Sequence, residues 1–137
     1  MPSAAEARTP FVFPAPALAL AGFTVWTVFS LLPGLTRASG AFRIREAWDT
    51  GAFWLIGVPL LLLAQGIVAA LHQEKIFRDP LYTLGGLFAA MLLIHPAGND
   101  LGLLPLAMIF IGVPSYVVLL GVGAIGRMIG MRARKER

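Results

Sequence analysis

The chain has no cysteine and little charge. The first absence excludes disulfides, thiolate metal sites, iron–sulfur clusters and cysteine nucleophiles. The second says more, because of where it falls. Asp, Glu, Lys and Arg make up 13% of the 137 residues, against roughly a quarter in soluble domains. They are missing altogether from Thr9 to Thr36, Thr50 to Gln73, Pro80 to Asn99 and Leu101 to Gly126, stretches of 28, 24, 20 and 26 residues. Lipid imposes this segregation: an ionised side chain at the bilayer centre costs several kcal/mol, and a hydrocarbon core ~30 Å thick needs roughly 20 apolar residues of helix to cross it. The 39 residues left outside these stretches fall short of the ~50 that an independent folded domain usually requires.

Hydrophobic residues make up 58% of the chain. The pattern predicts an all-α membrane protein, a four-transmembrane-helix up-down bundle in a single integral membrane domain, with helices over about 11–32, 53–71, 81–95 and 101–129. The first apolar stretch exceeds the ~7–15 residues of a cleaved signal's hydrophobic region, so it is expected to stay as a spanning helix. Pro14 and Pro16 fall in its opening turns, where missing backbone donors cost least, and Pro33-Gly34 is expected to end it. The third segment is short, about 15 residues or ~22 Å, and must thin the bilayer, lean on its neighbours or fail to cross. The last helix is expected to bend at Pro114. Proline interrupts three of the four segments, and its spacings do not suggest an inverted duplication.

The net charge of +4 does not point to nucleic acid, because the basic residues gather where headgroups would be. Arg127, Arg132, Arg134, Lys135 and Arg137 follow the fourth apolar stretch, and anionic lipid is the expected partner of this basic end. Arg8, Lys75 and Arg78 join those five on one side of a four-crossing chain, against Arg37, Arg43 and Arg45 on the other. Short loops rich in Lys and Arg stay in the cytoplasm. Both termini are therefore expected there, in a bacterial inner membrane.

Proton relays, ion-coupled carriers and voltage sensors place an ionisable group near the midplane, and the apolar stretches offer none. His72 and His95 would lie at opposite ends of the bundle, ~20 Å or more apart, too far to clamp one haem. Glu46, Asp49, His95, Asn99 and Asp100 would share the outer face with Arg43 and Arg45. Two carboxylates and an imidazole there could hold a metal or a proton, although their spacing matches no ligand motif and loops at an interface are polar in any case. Gln65 is the only amide deep in an apolar segment. Interhelical hydrogen bonding is its expected role; lining a path with Thr24, Thr27 and Ser115 is the alternative. Small residues four apart (Ala17 and Ala21, Gly66 and Ala70, Gly85 and Ala89, Gly86 and Ala90, Gly126 and Gly130) mark helix faces that allow close approach, within the chain or against a partner.

The run Arg45-Glu46-Ala47-Trp48-Asp49-Thr50, followed by Phe53-Trp54 and by Gly57-Val58-Pro59 with four leucines, resembles a group of small bacterial inner-membrane proteins with four predicted helices. The Leu101-Gly102-Leu103-Leu104-Pro105-Leu106 entry to the last helix is similar to that group as well. The resemblance spans the second to fourth helices. It implies the four-helix architecture and the inner membrane, and it brings no active-site residue.

These features favour a non-catalytic accessory or scaffold protein, part of a larger membrane assembly or a homo-oligomer, with no cofactor. A small channel or carrier built on Gln65, Thr24, Thr27 and Ser115 is the second reading. A membrane-embedded enzyme or cofactor binder using the outer carboxylates and His95 is the third.

Overall fold

The computed structural model describes residues 14–35, 46–72, 77–94, 102 and 104–136. Four helices account for almost all of them, and the described residues contain no strand. We denote them α1 (Pro14–Leu35), α2 (Phe53–Leu71), α3 (Asp79–Leu93) and α4 (Pro105–Lys135). α1, α2 and α4 each contain a window long and apolar enough to cross a membrane, while α3, with 15 residues, is a shorter apolar helix. Only 28%, 22% and 17% of the residues in those three windows are buried. Apolar side chains therefore point outward in large numbers, with Leu55, Leu93 and Phe110 each at least 70% exposed, as a hydrocarbon solvent permits and water does not.

Packing does not follow chain order. α1 packs chiefly against α3, and α2 against α4, whereas helices adjacent in sequence touch less. Each pair runs in parallel. Gly86 of α3 lies on the backbone of Ala19, and Trp26 and Phe29 share a cluster with Ala90 and Met91, so α1 and α3 rise together. Gly126 likewise lies on Gly66, and Gly130 on Ala70. The bundle is thus two parallel pairs laid against each other.

Glycine makes both pairs possible. A Cβ on Gly86 would stand 2.6 Å from the carbonyl carbon of Ala19, and one on Gly126 would stand 3.0 Å from that of Gly66, with the carbonyl oxygens nearer still. No side chain fits against backbone at that range, so bare Cα atoms let the two helices touch. Gly86-Ala90, Gly66-Ala70 and Gly126-Gly130 belong to these seams. On α1 the contact falls on Ala19 and Gly22 rather than on the sequence-marked Ala17 and Ala21.

Two helices carry a wide turn near their start. Phe53–Gly57 in α2 and Met108–Gly112 in α4 are π-helical, and each is followed by α-helix with proline in its first positions. Proline offers no N–H and its ring collides with the carbonyl four residues back, which is Leu55 for Pro59 and Phe110 for Pro114. One widened turn absorbs both problems. The local sequence is the same in each case, Ile56-Gly57-Val58-Pro59 and Ile111-Gly112-Val113-Pro114, so the proline spacings do match at this point, as a repeat in one orientation. Each glycine seats a phenylalanine ring from the preceding helix. A Cβ on Gly57 would meet Phe29 at 2.9 Å, and one on Gly112 would meet Phe88 at 3.3 Å. Pro33 lies inside α1, which continues to Leu35.

Candidate functional site

An aromatic plug closes one end of the bundle. Thr50 folds the chain into α2: its hydroxyl donates to the Ala47 carbonyl at 2.6 Å, and its Oγ1 accepts from the Phe53 amide at 3.3 Å. That geometry follows a single 3₁₀ turn, Ala47–Asp49. It brings Trp48 edge-on to Trp26, with ring centroids 5.4 Å apart, and Phe53 to Trp26 and Phe29 at 5.7 and 6.1 Å. Each such pair contributes about 0.5–1.5 kcal/mol beyond its area. Trp54 Nε1 donates to the Trp48 carbonyl at 2.7 Å, which ties the turn to the helix it introduces.

Nearer the other end, polar groups enter the interior from α2 and α3. Gln65 is fully buried, and its Oε1 accepts from the Thr83 hydroxyl at 3.0 Å. Thr83 also reaches the Asp79 backbone carbonyl at 3.5 Å, one turn earlier on α3. Asp79 itself is buried, in the first turn of α3, where the helix dipole favours a negative charge. The amide of Gln65 is half used, because Nε2 has no hydrogen-bond partner among the described residues. A second polar arc lies on α1, where Trp26 Nε1, Thr27 Oγ1 and Ser30 Oγ are buried without partners among the described residues. Buried donors of this kind are usually met by ordered water.

The sequence-marked residues are thus dispersed. Gln65 points inward between α2 and α3, Thr24 lies exposed on the outer face of α1, and Thr27 and Ser115 are half-buried. Glu46 and Asp49 stand in one turn, the Asp49 amide donating to the Glu46 carbonyl at 3.1 Å. His95, Asn99, Asp100, Arg43 and Arg45 lie outside the described residues, so the outer-face cluster is described only through Glu46 and Asp49. His72 caps α2 through its amide, which donates to the Val68 carbonyl at 2.8 Å. Among the described residues no three His, Cys, Asp or Glu side chains gather in a metal-binding group.

Sequence reasoning missed Thr83 and Asp79 as interior residues. Asp79 reads as part of a charged turn, yet Asp79 and Thr83 are four apart, and that spacing puts both on one helix face. It also missed the convergence of Trp26, Trp48 and Phe53, whose separations of 5 to 27 residues carry no helical signature.

No family model matches this chain, and no curated protein or solved structure is significantly similar to it.

Proposed function

We propose that this chain is a non-catalytic multi-pass protein of a bacterial inner membrane, an accessory or scaffold subunit that packs against other helices, of a larger assembly or of its own kind. On this reading all four helices sit in the bilayer with both termini in the cytoplasm, where the basic end of α4 meets anionic headgroups. The resemblance to small bacterial inner-membrane proteins with four predicted helices supports the four-helix part of this reading.

The observation that carries the proposal is the outer face of α3. This helix is too short to cross a ~30 Å core alone, and it is held on one side by α1 through Gly86. About 100° further round the helix, Gly85 and Ala89 are exposed, and a Cβ on Gly85 would meet nothing within 4 Å. Leu81 and Leu92 extend that row, 57% and 50% exposed. Small residues four apart leave a shallow groove that a second helix can enter, and a short helix gains cover from such a neighbour. The test is blue-native electrophoresis and pull-down in mild detergent with Gly85→Leu/Ala89→Leu. Loss of a higher-mass species supports the reading. A wild-type chain that runs only as a monodisperse monomer overturns it.

A second reading rests on the unused Nε2 of Gln65, a donor available to water or solute in a path between α2 and α3. It requires Gln65→Leu to abolish flux in proteoliposomes while the protein still assembles; unchanged flux removes it.

A further inference from the structure

The α2·α4 seam has an open side. Leu63, Gly66 and Ile67 of α2 and Val122, Ile125 and Ile129 of α4 line a groove of about 550 Å³ with almost no polar surface. Gly66 forms its floor: a Cβ there would touch Val122 Cγ1 at 3.4 Å, so the missing side chain deepens the channel. The groove extends along α2 from Pro59 to Ala70, about 16 Å of helix rise, close to the ~15 Å depth of one leaflet.

Its lower end is marked by charge. Val122, Ile125, Ile129 and Arg132 follow one another at spacings of three, four and three, so Arg132 lies on the same helix face just past the apolar lining. Lys135 stands one turn past Arg132, to the side of that row, whose next position is Glu136. Arg132 and Lys135 are exposed and still helical. Arg134 is already occupied, its Nη2 donating to the Leu71 carbonyl at 3.2 Å and fixing this stretch of α4 against the end of α2. The one carboxylate beyond Ile129 is Glu136, against four cations, Arg132, Arg134, Lys135 and Arg137.

We propose that this groove seats one anionic phospholipid, an acyl chain lying between α2 and α4 and its phosphate resting on Arg132 and Lys135. Charge complementarity selects the occupant. An apolar channel of leaflet depth that ends near two exposed cations fits a lipid with a negative headgroup, whereas a neutral lipid gains only the channel. The proposal rests on the membrane reading above and is independent of what else the chain assembles with.

The experiment is native mass spectrometry of the full chain released from nanodiscs containing phosphatidylglycerol and phosphatidylcholine with matched acyl chains. Wild type retains one phosphatidylglycerol in preference to phosphatidylcholine. Arg132→Gln/Lys135→Gln lowers that preference by about tenfold or more, since each surface cation is worth roughly a factor of five. Ile125→Trp, at a position 59% exposed, fills the channel without disturbing packing and lowers retention of both lipids. Equal retention of the two lipids by wild type overturns the proposal, as does an unchanged preference in the double variant. Displacement by glycerol phosphate, which lacks chains, would reveal a free-anion site and overturn it too. Carbonate extraction of the same membranes separates this from the larger reading: a chain that washes off refutes membrane insertion itself, while an embedded chain without lipid preference refutes only the seat.

Discussion

Gly85 and Gly86 are neighbours in sequence with opposite surroundings, and replacing each by alanine should move stability in opposite directions. At Gly86 the added methyl would sit 2.6 Å from the Ala19 carbonyl carbon and 2.8 Å from its Cα, where ordinary contacts between carbon atoms are ~3.5–4.0 Å. α1 and α3 must separate by roughly 1 Å to admit it. A gap of that size forfeits a quarter to a half of each contact along the seam, and overpacking of a close interface typically costs ~1–3 kcal/mol. Alanine returns up to ~1 kcal/mol of helix propensity, leaving a net loss of up to about 2 kcal/mol. At Gly85 a Cβ meets nothing, so only the propensity gain remains and Gly85→Ala is neutral or stabilising. Both variants can be titrated from mild detergent into SDS micelles, with loss of helicity followed by circular dichroism. If Gly86→Ala unfolds at the same SDS fraction as Gly85→Ala, the close approach of α1 and α3 is wrong.

Gln65→Leu and Thr83→Val remove the two ends of the buried α2–α3 hydrogen bond, and their double-mutant cycle should give a coupling of about 0.6–2 kcal/mol in the same titration; zero coupling would place the two side chains apart. Trp26→Ala empties the aromatic plug and should cost ~3–5 kcal/mol, whereas Trp26→Phe should cost less because it keeps an aromatic ring in the plug and the indole N–H has no protein partner among the described residues. A large loss in the phenylalanine variant, read as reduced thermal stability in detergent, would mean that the indole bonds to water or to another group.

The helices were legible because lipid writes them plainly. Charge-free runs, bounded by Asp49-Thr50 before α2 and by Pro80 at the start of α3, mark segments that water could not solvate. Gly66-Ala70 and Gly126-Gly130 were legible as close-packing faces, because four-residue spacing stacks small side chains along one side of a helix. Which face meets which was not legible. Nothing in the local sequence of Gly86 says that its partner is Ala19 rather than a residue of the adjacent α2. Gln65 could be picked out as a helix-bridging amide, but Thr83 could not, since hydroxyl residues in apolar helices normally bond to their own backbone. The Ile-Gly-Val-Pro repeat stood in plain view. Its meaning depends on the wide turn that proline forces and on the phenylalanine ring each glycine receives, and both are three-dimensional facts.

The parallel pairing of α1 with α3 bears on how the chain is made. Gly22 and Ala19 leave the ribosome some 60 residues before Gly86, an interval of about 3–13 s at ordinary elongation rates. On the proposed membrane reading, the first helix waits in the bilayer through that interval with the face that meets α3 still open. Biogenesis must therefore hold α1 as a waiting half-interface until α3 arrives, and an insertion factor that shelters small-residue faces would be needed most during those seconds.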